Sequence, residues 1–241
     1  VPGQPHISLM AQLPAPKSGG AVAEFLRRLD TLPAVRPTGR GRLLFAVDAT
    51  ASRQPSWDRA CHVQAEMFAA AEGLGGLAVQ LCYWRGHHEF AATPFLTDAA
   101  ELARRMSGVS VLAGQTQIHR CLEHALRETT AERVHALVLV GDALEEALDP
   151  IGHLAAQLGL RGTPVFCFQE GGNPQVEWGF RQIAKLSGGA WAPFDSASPD
   201  ALRDLLRAVA VFAAGGRSAL AKLPGRAASG IAGQLPAPRR S

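Results

Sequence analysis

From residue 43 onward, short and almost uninterrupted apolar runs alternate with longer stretches of helical periodicity, and nothing else in the chain constrains its fold so strongly. The runs are Leu43 to Val47, Leu77 to Trp84, His135 to Val140, Pro164 to Phe168 and Ala190 to Phe194. A strand buried on both faces reads this way, whereas a strand with one wet face alternates polar and apolar residues. Between the runs, Trp57 to Glu72, Asp98 to Met106, Gln117 to Glu128, Glu145 to Leu158 and Val176 to Leu186 carry helical spacing. Pro199 to Ala214 closes the series, with its proline in the first turn, where no backbone N–H is needed. Glu89 to Leu96 contains Pro94, which suits an antiparallel edge strand. The pattern predicts a three-layer α/β/α, doubly wound and mostly parallel sheet, of Rossmann-like architecture. Such sheets bind ligands beyond the carboxyl ends of their strands, where strand order reverses. The places to look are therefore just after Val47 and just after Val140.

The ends of the chain read differently. Residues 1–19 are rich in Pro and Gly and predict a disordered arm. Val22, Phe25, Leu26 and Leu29 then recur at helical spacing within Ala21 to Leu32, before Pro33, Pro37 and Gly39 end the pattern. One domain is expected over residues 20–215, including this leading helix, followed by a basic low-complexity tail over 216–241. Gln12-Leu-Pro-Ala-Pro-Lys17 in the first arm is echoed by Gln234-Leu-Pro-Ala-Pro-Arg239 in the second. Proline-spaced segments of this kind favour an extended conformation suited to docking grooves, with chance repetition in Ala/Pro-rich sequence as the alternative.

Charge separates the same regions. Residues 216–241 hold Arg217, Lys222, Arg226, Arg239 and Arg240 and no acid, while residues 43–215 carry 13 basic against 19 acidic side chains. Basic arms on an acidic body suit an acidic partner, or fold back on the body itself. Nucleic acid is not the expected partner. No segment approaches the roughly 20 apolar residues of a membrane helix, and the first residues lack the charged and apolar regions of a secretory signal. Cys61, Cys82, Cys121 and Cys167 show no C-x-x-C pairing, and Cys82 and Cys167 sit within apolar runs. They predict free, buried thiols and a reducing, cytoplasmic setting.

The chemistry-bearing residues fall at the places the sheet rule indicates. Asp48-Ala-Thr50-Ala-Ser52 follows the first strand and offers one carboxylate and two hydroxyls at alternate positions. Oxygen donors of this kind suit a hard cation, Mg²⁺ above all. A helix cap by Ser52 or Ser56 is the plainer reading of the same residues. Thr116, within Gly114-Gln-Thr-Gln-Ile118, lies in the connection to a helix, and Asp142 ends the central run Leu137 to Val140 through Gly141. In a parallel sheet these three places can meet at one edge.

Together these segments resemble the metal-ion-dependent adhesion site of von Willebrand factor A-like domains, and the similarity spans roughly residues 40–215. The resemblance implies that Thr50 and Ser52 ligate the ion directly. It implies that Thr116 does so directly or through water, and that Asp48 and Asp142 hold it mainly through bound water. Three positions depart from the family pattern: Thr50 stands where Ser is more usual, Gln115 where a second Gly is common, and Ala143 where Gly is usual. None removes an oxygen. Glu145, Glu146 and Asp149 follow closely and are expected on the first turns of the next helix, where negative charge complements the dipole.

Competing sites are weaker. A phosphotransferase of haloacid-dehalogenase type would want a second Asp where Thr50 stands. No phosphate loop of G-x-x-x-x-G-K-[ST] type, dinucleotide fingerprint or nucleophile elbow is present. His87 and His88 suit a solvated turn, His119 and Cys121 face different ways on a helix, and Trp57, Trp84, Trp178 and Trp191 are expected to cover the core. The resemblance therefore implies a non-enzymatic, intracellular adaptor module that binds a partner protein's Asp or Glu through Mg²⁺, or through Mn²⁺ or Ca²⁺. A metal-dependent phosphotransferase or hydrolase on a similar sheet, and a scaffold acting through its basic Pro-rich arms, are the alternatives.

Overall fold

A computed structural model describes residues 24–25, 27–28, 39–50, 54–195 and 199–223. Strand β1 (Gly41–Asp48) is followed by helices α1 (Gln54–Val63) and α2 (Ala65–Ala71), then β2 (Leu77–Arg85) and β3 (Glu89–Ala92). Next come α3 (Ala99–Ser107), α4 (Ile118–Ala131), β4 (Ala136–Gly141), α5 (Leu148–Leu160) and β5 (Val165–Glu170). The last elements are α6 (Pro174–Ser187), β6 (Trp191–Phe194) and α7 (Pro199–Leu220). The strands lie in the order β3-β2-β1-β4-β5-β6, and every pairing is parallel except that of β2 with β3.

Strand alternation divides the core into two faces. Leu43, Phe45 and Val47 of β1 pack with Val138, Val140, Phe166 and Phe168 beneath α1, α2, α3 and α7. Leu44 and Ala46 pack with Leu137, Leu139 and Cys167 beneath α4, α5 and α6. Both faces of the central strands are dry, which is why their sequences run apolar without alternation. Phe25 of the leading segment is fully buried and meets Phe166 and Phe168 edge-on, with ring centroids at 5.8 and 5.3 Å.

Several bounds differ from expectation. The stretch 57–72 is two helices meeting at Gln64, whose buried amide donates to the Ala99 carbonyl at 3.3 Å. The edge strand stops at Ala92, before Pro94; beyond it Thr93 bonds to Leu81 and Leu96 bridges back to Val79. The α7 span continues past 215 to Leu220 only as a second helical segment, broken from the first by a kink at Gly216, whose φ is 66°. Leu220 is 5% exposed and joins the core. The repeated Gln-Leu-Pro-Ala-Pro segments lie outside the described residues. No helix among the described residues is long and apolar enough to cross a membrane.

All four cysteines are free, with Cys82, Cys121 and Cys167 buried. Burial pushes the Cys121 thiol up to about 12. At the opposite end of β1, the Arg42 backbone N–H donates to Nδ1 of His135 at 3.0 Å, so the ring is neutral with its proton on Nε2. Burial, assisted by Arg133 and Arg42, pushes this imidazole down to about 4. Between pH 6.5 and 4 the unfolded chain binds a proton at this site that the folded chain refuses, so stability is lost as pH falls through that window. Partial exposure of the ring limits the loss to about 1–2 kcal/mol. Urea denaturation between pH 7 and 5 is expected to show a shallower pH slope in His135→Asn, whose amide oxygen keeps the acceptor. An unchanged slope would mean that His135 does not set this dependence.

Candidate metal centre

Strand order reverses between β1 and β4, since β1 leads to β2 on one side and pairs with β4 on the other. The crevice predicted by topology therefore opens where β1 and β4 end. Asp48 is the last residue of β1 and is 1% exposed. Its Oδ1 accepts the backbone N–H of Thr50 at 2.8 Å, which turns the chain sharply at the strand end. The intervening Ala49 donates to Trp84 O at 3.0 Å and accepts from Leu112 N at 3.1 Å. The start of this loop is thus tied to both the end of β2 and the segment before α4. Thr50 is buried, and Ser52 lies outside the described residues.

Val47 pairs with Val140, which sets Asp48 level with Gly141 and next to Asp142. A Cβ placed on Gly141 would lie 3.9 Å from the Cβ of Asp48. Asp142 follows at once and is half-buried.

Thr116 is 6% exposed and is brought in by a segment with little freedom. Gly86 donates to Leu112 O at 3.2 Å and accepts from Gln115 N at 3.1 Å, so the β2–β3 turn lies directly against this segment. A side chain on Gly114 would collide with the Gly86 carbonyl oxygen, which explains the glycine there. The Thr116 hydroxyl accepts from Glu145 N at 3.2 Å, and Thr116 N donates back to Glu145 Oε2 at 3.1 Å. The segment carrying Thr116 is therefore bonded directly to the one that follows Asp142.

Here the structure corrects an expectation. Glu145 and Glu146 do not lie on the first turns of α5, which begins at Leu148; they precede it, and only Asp149 is in its first turn. Glu146 instead reaches α4, where its carboxylate accepts Ile118 N at 2.6 Å and His119 N at 3.0 Å. The sequence held one signal for this. Helix α4 has no side-chain cap at Gln117 and no acid in its first turn, so its exposed N–H groups need an acceptor from elsewhere.

The donors gathered here are oxygens. Asp48, Thr50, Thr116 and Asp142 offer two carboxylates and two hydroxyls, a set matched to a hard divalent cation with bound water. Among the described residues no three His, Cys, Asp or Glu side chains gather as a metal cluster. A cation placed here would draw on hydroxyls as much as on carboxylates. His87 and His88 lie exposed in the β2–β3 turn, and on α4 Cys121 is buried while His119 is half-exposed. Trp57 and Trp84 are buried as expected, but Trp178 is 56% exposed. Trp191 is half-buried and carries the Arg181 guanidinium 3.8 Å above its ring.

No protein-family model matches the chain, and no curated protein matches its sequence. Solved structures match its fold. Proximal thread matrix protein 1 from the mussel byssus, in a structure with a zinc-occupied MIDAS motif, has a TM-score of 0.55 and 17% identity over 71% of this chain and 46% of that one. A von Willebrand factor type A protein from Catenulispora acidiphila has a TM-score of 0.57 and 16% identity, covering 76% of this chain and 47% of that one. The SpRpn10 VWA domain has a TM-score of 0.55 and 11% identity over 69% of this chain and 94% of its own length. The chain thus spans a little under half the length of the first two. What is shared at these identities is the fold: this chain has a von Willebrand factor A-type fold.

Proposed function

We propose that this domain is a protein-interaction module whose partner is held through a divalent cation bound by Asp48, Thr50, Ser52, Thr116 and Asp142. The observation that carries the reading is the meeting of Asp48, Asp142 and the segment bearing Thr116 at the point where strand order reverses. The zinc-occupied motif named for the mussel protein supports a cation on this fold. Hydroxyl ligands are neutral, and carboxylates acting through water quench little of the ion's charge. An ion held so seeks an anionic oxygen, and an Asp or Glu of a partner protein supplies one. Mg²⁺ fits best, with Mn²⁺ and Ca²⁺ as substitutes, and the absence of a disulfide framework favours a cytoplasmic adaptor.

Calorimetric titration of the purified chain with Mg²⁺, Mn²⁺ and Ca²⁺ tests the ion, and capture of a partner with and without chelator tests its use. One bound ion per chain is expected, with weakened binding in Thr116→Ala and release of the partner by chelator. Capture undiminished in chelator would shift the interaction to the basic arms or another face.

A further inference from the structure

Resting on the metal reading above, we propose that Glu145 and Glu146 are positioning residues of the metal centre. They tie the segment bearing Thr116, and the start of α4, to the segment bearing Asp142, so that these parts move as one body. Two adjacent carboxylates each accept backbone N–H groups from across the crevice. Glu145 takes Thr116 N at 3.1 Å while its own N–H returns to the Thr116 hydroxyl at 3.2 Å. Glu146 takes Ile118 N at 2.6 Å and His119 N at 3.0 Å.

Charge-assisted bonds of this kind are about twice as strong as neutral ones. Those from Glu146 also satisfy N–H groups at a helix start that has no cap of its own. The Glu145 N–H occupies one lone pair of the Thr116 hydroxyl and leaves another to face the crevice, so the same bond orients the oxygen. With Gly114 packed against the Gly86 carbonyl on the other side, Thr116 is held from two directions. Groups that orient a metal ligand in this manner set affinity without touching the ion.

The test is a Mn²⁺ titration of the full chain as wild type, Glu146→Ala, Glu146→Gln and Glu145→Ala, with amide exchange at Ile118 and His119 followed on the same samples. Ser187→Ala serves as a control. Its hydroxyl accepts from Val165 N at 3.0 Å at the far end of the sheet, so its loss strains the fold away from the site. Glu146→Ala is expected to weaken Mn²⁺ binding about 10-fold or more and to speed exchange at both amides. Glu146→Gln, which keeps one acceptor oxygen for the two N–H groups and loses the charge, is expected to fall between the wild type and Glu146→Ala. Ser187→Ala is expected to lower the melting temperature with affinity unchanged. Should Glu146→Ala fail to fold, Glu145→Ala carries the test, because it removes only the acceptor for Thr116 N. Wild-type affinity in the folded Ala variants would overturn the positioning role and leave the metal reading standing. Failure of the wild type to bind Mn²⁺ would overturn the metal reading and the positioning role with it.

Discussion

Asp48→Asn is expected to weaken divalent-ion binding at least roughly 30-fold while leaving the domain folded. The amide keeps an oxygen where Oδ1 now accepts Thr50 N at 2.8 Å, so the turn after β1 is preserved. What the substitution removes is a negative charge at a position only 1% exposed, where solvent screens little. Removing one half of a buried charge pair typically costs about 2–5 kcal/mol. That corresponds to roughly 30-fold to several-thousand-fold in affinity. Titration with Mn²⁺ alongside thermal melts separates the two effects: the variant should melt near the wild type without metal and gain nothing when metal is added. Affinity unchanged in Asp48→Asn would place the ion away from this strand end.

The second large effect concerns the fold. Phe25→Ala should cost about 3–5 kcal/mol, the usual range for emptying a buried aromatic position. Its ring is fully buried and meets the rings of Phe166 and Phe168 edge-on, at interplanar angles of 73° and 70°. Aromatic pairs in that arrangement add to the area they bury. Against a typical stability of about 5–15 kcal/mol, the loss is severe. Urea denaturation measures it directly. A midpoint shift equivalent to less than about 1 kcal/mol would mean that the segment before residue 39 is not part of the packed domain.

Much of this architecture was legible because the signals are local. Dry strands such as Leu43 to Val47 cannot be mistaken for half-wetted ones, and Pro94 limits its strand to an edge. The topological rule then pointed to Asp48 and Asp142 before any coordinate was needed. The parts that were not legible depend on residues distant in sequence. Glu145 and Glu146 stand close to the start of α5, and a local dipole rule assigns them there; their actual acceptor role serves Thr116 and the start of α4, 27 to 29 residues earlier. Gln64 stands between two helices where the sequence pattern runs on, and its amide reaches Ala99 on a different helix. Gly215-Gly216 reads as a stop, yet the left-handed φ of Gly216 lets the chain turn and bury Leu220. Trp178 looks like a core residue by type, and only the packing of α6 reveals that its ring faces outward.

The placement of α7 has a consequence for how the molecule comes into being. This helix supplies Leu202, Leu205, Leu206, Val209 and Phe212 to the face of the sheet that β1 and β4 share, and Phe212 closes on Phe166 with centroids at 5.6 Å. Everything it covers is made earlier. On the ribosome, Phe45, Val138 and Phe166 therefore lack part of their cover until α7 has emerged. A nascent chain with that much apolar surface open is at its most vulnerable to aggregation. Among the described elements, the packed core is completed only when α7 arrives.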